Sequence, residues 1–350
     1  MKILSNFCIQ LPKIELHAHL NGSLSEVTVN GLLKDNSTSD IKIDSTSIEK
    51  GAKRTLNDCF EMFKIIQKLT DRAQIITEVT KSVIDEFAQD NVMYLELRST
   101  PRNNLETGLT KRNYIEAILT GINEYQQKNN ESIIVKFLVS IDRRRGVVEA
   151  KENLELAKEY FNRPNNVVVG IDLSGDPHVG NAEDYIPLLE DAKSAGLKLS
   201  LHMAEINGLD DENIKLLGLP PDRIGHGTFL YENEECRNLV LKRRIPFEIC
   251  LTSNVKGGTV ESYAEDHHHM HKWLKDKQPV VICTDDKGVF STTLSNEYLI
   301  AAQNGGMSSE DIYNLSFESI DHIFSNDITK DILRQKMKNW KQENMYYFIN

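Results

Sequence analysis

A chain of 350 residues with 40% hydrophobic and 27% charged residues can bury a sizeable core, and its composition is neither disordered nor membrane-spanning. The formal net charge of -11 argues against general nucleic-acid binding, which needs basic surface to neutralise phosphates, but a locally basic pocket for a small anion is still allowed. Five cysteines without tight spacing (Cys8, Cys59, Cys236, Cys250, Cys283) read as reduced thiols of a cytosolic protein. Residues 1–10 lack the apolar run of a secretion signal, and nowhere is there an apolar stretch long enough to span a bilayer.

Along the chain, short β-branched runs alternate with longer amphipathic segments. Eight runs are predicted as strands: 14–20, 92–98, 133–141, 167–173, 197–202, 223–226, 245–251 and 280–284. Between them, 113–126, 150–161, 182–195 and 233–241 carry helical periodicity, with Gly196 placed to end the third. Eight alternations favour an α/β fold of the closed (β/α)8 barrel type over an open sheet, as a single domain over 1–350. The first connection is longer than one unit needs, which predicts a lid-like insertion at about 31–75. Lys34 to Lys50 is rich in Ser, Asp and Thr. A helix is predicted from Thr55, with Asp58 in capping-box position and Leu56, Phe60, Phe63 and Leu69 on one face, packing against the barrel or, second, roofing a pocket. Residues 308–348 read as two or three closing helices, and the chain contains no repeat, linker or low-complexity tract.

Reactive groups of such barrels sit where strands end, and the polar residues of this chain gather there. His17 and His19, at i and i+2 of the first strand, face one side and can offer two imidazoles to one divalent metal. An isolated His-x-His is equally well a pair of hydrogen-bonded strand histidines. Downstream strand ends add Arg98-Ser99-Thr100-Pro101-Arg102, Asp142, Asp172 to Asp176, His202 with Glu205, Gly225-His226-Gly227, Ser253-Asn254 and Asp285-Asp286. Three nitrogens and a carboxylate from His17, His19, His202 and Asp285 leave a coordination position for water, as catalytic zinc requires. His226 between glycines can orient that water or move its proton, and Glu205 can act as an acid facing the electrophile. The run His267-His268-His269-Met270-His271 reads as a solvated tract with at most incidental metal binding and no catalytic role.

These residues carry a resemblance. The segments 11–23 (LPKIELHAHLNGS), 174–177 (SGDP), 202–205 (HMAE), 223–228 (RIGHGT), 251–254 (LTSN) and 283–286 (CTDD) resemble the adenosine and AMP deaminase group of the metal-dependent amidohydrolases, most closely its adenosine deaminase-like branch. The resemblance covers about 11–324. It implies one Zn2+ on His17, His19, His202 and Asp285, with Glu205 protonating purine N1 and His226 and Asp285 aligning a zinc-bound hydroxide for attack on C6. It further implies that Gly175 contacts N3, that Asp286 shares a hydrogen bond at N7, and that His19 also lies against the substrate.

One departure separates the branches. Where deaminases of free adenosine carry an aspartate for the ribose 5′-hydroxyl, this chain has Asn21, and a neutral amide tolerates a 5′-phosphate that a carboxylate repels. The implied activity is hydrolysis of N6-methyl-AMP, and of other N6-substituted purine monophosphates, to IMP and the free amine. Ser99, Thr100 and Arg102 are the candidates for phosphate or ribose, and Asp142 for a ribose hydroxyl or for positioning an arginine. Gln67 stands where the resemblance leads one to expect a histidine facing the ligand; it can hydrogen-bond a phosphate but adds no charge. For Arg98 and Arg102, solvation or pairing with rim acids such as Asp142 is the competing expectation. The rival functions are a deaminase of free adenosine or 2′-deoxyadenosine and a non-catalytic nucleoside-binding barrel. A monomer is expected, since no strongly apolar exposed face stands out, and neither nucleic acid nor membrane is an expected partner.

Overall fold

A computed structural model describes residues 2–35, 55–129, 132–164 and 167–348. Eight strands, β1 (Lys13–His19), β2 (Val92–Ser99), β3 (Ile134–Asp142), β4 (Val168–Ser174), β5 (Lys198–Met203), β6 (Arg223–His226), β7 (Phe247–Ile249) and β8 (Val280–Ile282), pair in parallel and in chain order. Just beyond β8 the Asp285 N–H donates to the His17 carbonyl (2.7 Å) and the Asp285 carbonyl accepts from His19 N–H (3.0 Å), joining first strand to last. The predicted α/β barrel is therefore present. Its seam runs through three of the four residues expected to bind metal.

Helices α1 (Lys2–Gln10), α2 (Glu26–Asp35), α3 (Leu56–Leu69) and α4 (Ala73–Gln89) precede β2, and α5 (Lys111–Lys128), α6 (Gly146–Phe161), α7 (Ile186–Ser194), α8 (Asp210–Gly218) and α9 (Glu234–Arg243) occupy the next five crossovers. Helices α10 (Leu251–Lys256) and α11 (His269–Lys275) lie between β7 and β8, and α12 (Leu294–Gly305), α13 (Ser309–Glu318) and α14 (Asp327–Glu343) follow the barrel. The boundaries differ from the predicted ones where capping chemistry intervenes. The segment 182–195 opens as a 3-10 turn, and α7 begins beside Pro187, which suits a first helical turn. Strand β7 stops at Ile249 because the chain turns directly into α10. Helix α1 had no periodic signal strong enough to predict it; it buries Phe7 against Trp340, Tyr347 and Phe348 of the C-terminal region. All five cysteines are buried, and among the described residues none is joined in a disulfide and no helix is long and apolar enough to cross a membrane.

Thr55 and Asp58 form the expected capping box at the start of α3. The helix then does both jobs weighed for it. Cys59, Met62, Ile66 and Leu69 pack with Leu24, Val29, Val289 and Phe290, while the adjacent stripe of Phe60, Phe63 and Gln67 lines the cavity at the barrel mouth. Leu69 therefore parts from Phe60, while Phe63 touches both the cluster and the cavity. The Leu56 side chain and residues 36–54, most of the Ser, Asp and Thr-rich stretch, lie outside the described residues.

Candidate active site

A cavity at the C-terminal ends of the strands opens to solvent. His19, Asn21, Gln67, Ser99, Thr100, Asp142, Gly175, His202, Glu205, His226, Asp285 and Asp286 all line it, and His17 lies fully buried beside it. The rim backbone is bent to aim these groups: Ala204, His226 and Asp285 all have positive φ, of 50°, 58° and 62°. Residues other than glycine rarely adopt that conformation, and such strain clusters at functional sites. Glycine is needed at Gly22, where a Cβ would lie 1.6 Å from Asp286 Oδ1, and at Gly175, where φ is +103°.

Five donor side chains converge at the seam. One ligand atom from each of His17, His202, His226 and Asp285 lies within 4.8 Å of the others, and His19 Nε2 is 3.2 Å from His202 Nε2 and 3.3 Å from Asp285 Oδ1. The far side of each ring settles which nitrogen carries a proton. His17 Nδ1 donates to Glu248 Oε2 (2.6 Å), so its buried Nε2, 3.3 Å from Asp285 Oδ1, turns a lone pair to the centre. His202 Nδ1 makes a 2.9 Å ion-pair contact with Asp172. Burial opposes a charge on His202, but Asp172 pushes its pKa up to about 9, so positive charge is favoured there as a proton or as a metal taking its place. His226 is different. Its Nδ1 faces the Asn254 side-chain amide at 3.2 Å and accepts, which puts the ring proton on Nε2, the atom turned toward Glu205 and Asp285. The Nε2 atoms of His17, His19 and His202 thus gather with Asp285 Oδ1 in a set that fits a divalent cation once any proton on them is displaced, and His226 presents a donor.

Below them lies a layer of buried charge in which Glu248 and Arg223 had no expected role. Glu248 accepts from His17, Arg98, Ser200 and Arg223, and Asp172 accepts from Arg98 and Ser140. Burial alone would raise Glu248; Arg98 and Arg223 overcome it and hold the carboxylate well below its ordinary range. Arg98 is fully buried in this network, which corrects the expectation of a surface arginine paired with Asp142. Glu248→Gln leaves two buried guanidiniums undercompensated and puts an amide NH2 where one of the two carboxylate oxygens now accepts. It is expected to cost about 3–5 kcal/mol in chemical denaturation and to weaken metal retention roughly 10- to 100-fold in chelator competition.

Glu205 lies 3.8 Å from His226 Nε2. Burial, helped by Asp285 and opposed by His202, raises its pKa, so it tends to keep its proton. Asp286 is raised well above the ordinary range by burial and by Asp285, and its Oδ1 has no hydrogen-bond partner among the described residues. Ser253, noted only as a strand-end residue, donates to Asp285 Oδ2 at 2.6 Å.

At the other end of the cavity, Asn21 Nδ2 donates to the Tyr114 hydroxyl (3.2 Å) and Asn21 Oδ1 accepts from Thr70 Oγ1 (3.3 Å), while Ser99 Oγ is 2.7 Å from the same Tyr114 hydroxyl. Arg102 is not among the lining residues. Its guanidinium donates to the Thr70 and Gln67 carbonyls and to Thr70 Oγ1 and sits over the Tyr114 ring, bracing the end of α3. The cation that does line this end is Arg144, 4.6 Å over the Phe60 ring and held by both oxygens of Asp142. The sequence reading passed over it. Its signal was the Arg143-Arg144-Arg145 run directly after Asp142.

The His267 to His271 tract is not simply solvated. His268 and His269 are buried because α11 starts there and packs Met270 and Trp273 into the core.

The family model for adenosine deaminase matches residues 12–340. The N6-methyl-AMP deaminase of Mus musculus is 49% identical over 343 residues, spanning 97% of this chain and 94% of that protein. The Homo sapiens N6-methyl-AMP deaminase is 49% identical over 341 residues, spanning 96% and 95%. A solved structure, Arabidopsis ADAL complexed with IMP, superposes with a TM-score of 0.87 at 37% identity, over 98% of this chain and 99% of that one.

Proposed function

This chain belongs to the adenosine deaminase family, and from that premise we propose how its residues divide the labour of converting N6-methyl-AMP to IMP and methylamine. His17, His19, His202 and Asp285 hold one zinc ion, since three imidazoles and a carboxylate with an open position suit that metal. When bound, zinc lowers the pKa of a coordinated water toward neutrality.

The chain's own residues do the rest. The backbone of Gly175 at N3 and Asp286, protonated, at N7 read the purine edges and hold C6 toward the metal. Glu205 gives its proton to N1, drawing electrons from C6. His226, with its proton on Nε2, donates to the attacking water and directs it, and Asp285 accepts that water's proton. The tetrahedral carbon then expels methylamine, which takes the proton from Asp285. The remaining hydroxyl proton returns to Glu205 as C6 becomes a carbonyl, so acid and base are both restored.

The nucleotide preference rests on the neutral Asn21, fixed by Tyr114 and Thr70 rather than by a charge. Ser99, Thr100 and Gln67 add hydrogen bonds for the 5′-phosphate, and Arg144 adds the positive charge that Gln67 lacks. Asp142 orients Arg144. Release of methylamine or ammonia from N6-methyl-AMP, AMP and adenosine by the purified protein tests this reading. Preference for N6-methyl-AMP is expected; preference for adenosine would replace it with the nucleoside reading.

A further inference from the structure

Against the back of His226, away from the cavity, lies His269, 3% exposed at the start of α11. Its Nε2 is 3.0 Å from the backbone carbonyl oxygen of His226. A carbonyl can only accept, so the imidazole carries its proton on Nε2 and donates it there. His226 is a residue for which such a restraint matters. The end of β6 turns through two successive left-handed positions, His226 (φ 58°) and Gly227 (φ 63°), and the first of them is strained for any side chain other than glycine.

We infer that His269 is a positioning residue for deamination: its hydrogen bond, opposite that of Gly227 N–H to the Met203 carbonyl (3.1 Å), holds the peptide plane after His226 and thereby the aim of the His226 ring. The inference rests on the assignment of His226 to the attacking water. Asn254 restrains the same histidine through ring atom Nδ1, so ring and backbone are held from different elements.

His269 is itself firmly placed. Its ring stacks on His268 (centroids 4.6 Å apart, planes 17°), and His268 Nδ1 accepts from Met270 N–H, capping α11. One turn on, Trp273 stacks on Phe247 of β7, whose ring fills the space a Cβ at Gly227 would need. Turn, strand and helix thus pack as one unit. Burial keeps both histidines neutral at physiological pH, which leaves His269 as a fixed single-proton donor. The other histidines of the tract turn to separate partners, His267 to Ser262 and His271 to the Tyr263 carbonyl, so the run is not a shared metal site.

A donor-specific substitution series tests this on the metal-loaded enzyme. Glutamine can place an amide N–H where Nε2 stands; leucine and the shorter asparagine cannot. His269→Leu is expected to lower kcat about tenfold or more, because small misplacements of reacting groups are costly, with KM within about twofold and metal content unchanged. His269→Gln should recover most of the lost rate; if His269→Leu does not yield folded protein, His269→Asn takes its place against His269→Gln. In a His226→Ala background the His269 substitution should cost little further turnover, since it acts through His226. An unchanged kcat in the leucine variant, an equal fall in the glutamine variant, or an equal loss in the His226→Ala background would each overturn the inference. Wild-type protein inactive on N6-methyl-AMP, AMP and adenosine would instead overturn the reading of function.

Discussion

Glu205→Gln is expected to reduce kcat on N6-methyl-AMP by about 10²- to 10⁴-fold while metal content and nucleotide affinity stay near wild type. Glutamine keeps the size and one hydrogen-bond donor of a protonated carboxyl, so the cavity wall survives, but an amide has no proton to give to N1. Unprotonated, the ring draws far less charge from C6, and attack there loses its driving force. Glu205 is not among the groups whose lone pairs meet at the seam, which separates its loss from loss of metal. The raised pKa also fixes a sign. The acid must hold its proton, so wild-type kcat should fall as pH rises through the pKa of Glu205, and the variant should lack that limb. Single-turnover kinetics with metal analysis checks both; an active variant, or one that has lost its metal, would show that the acid is misassigned.

Asn21→Asp is expected to raise KM for N6-methyl-AMP by about 10²-fold or more, and to narrow or reverse the preference over N6-methyladenosine. Two like charges about 5 Å apart repel by roughly 3 kcal/mol at an effective dielectric of 20, which is on the order of a hundredfold. The substitution should be tolerated structurally. A carboxylate accepts from the Tyr114 and Thr70 hydroxyls that Asn21 now touches, so its oxygens remain partnered. It can also accept from a ribose 5′-hydroxyl, a group the nucleoside offers and the nucleotide does not. Arg144 offsets the effect only in part, because Asp142 already engages its guanidinium. Steady-state kinetics on the two substrates decides the matter: unchanged selectivity would place the phosphate away from Asn21.

Much of the barrel was legible because parallel strands buried on both faces must be nearly continuous apolar runs, and each run here ends in or just before a polar residue. All eight strands were found that way, and the spacing of His17 and His19 put both imidazoles on one side without any tertiary information. Helix α1 was not legible. Its only buried residues are Phe7 and Cys8, and its reason for being ordered is the aromatic cluster supplied by residues more than 300 positions away. Arg98 and Arg102 show a different limit. Arg98 lies at the end of β2 and Arg102 three residues beyond the strand, yet one is buried among Asp172 and Glu248 and the other braces α3, because the first is held within the barrel while the second has left the sheet and meets the end of that helix. No local pattern distinguishes them.

By itself the sequence determined the strand periodicity, the kinds of reactive groups at the strand ends and the neutral residue at position 21, since these depend only on residue type and local spacing. The tertiary structure alone decided which nitrogen of each histidine faces the centre, that Arg144 rather than Arg102 reaches the cavity, and that His269 stands behind His226. Those outcomes depend on partners such as Glu248, Asn254 and Asp172, which come from distant strands and helices. A ring's proton follows the group that touches its far side, and only closure of the barrel brings that group into contact.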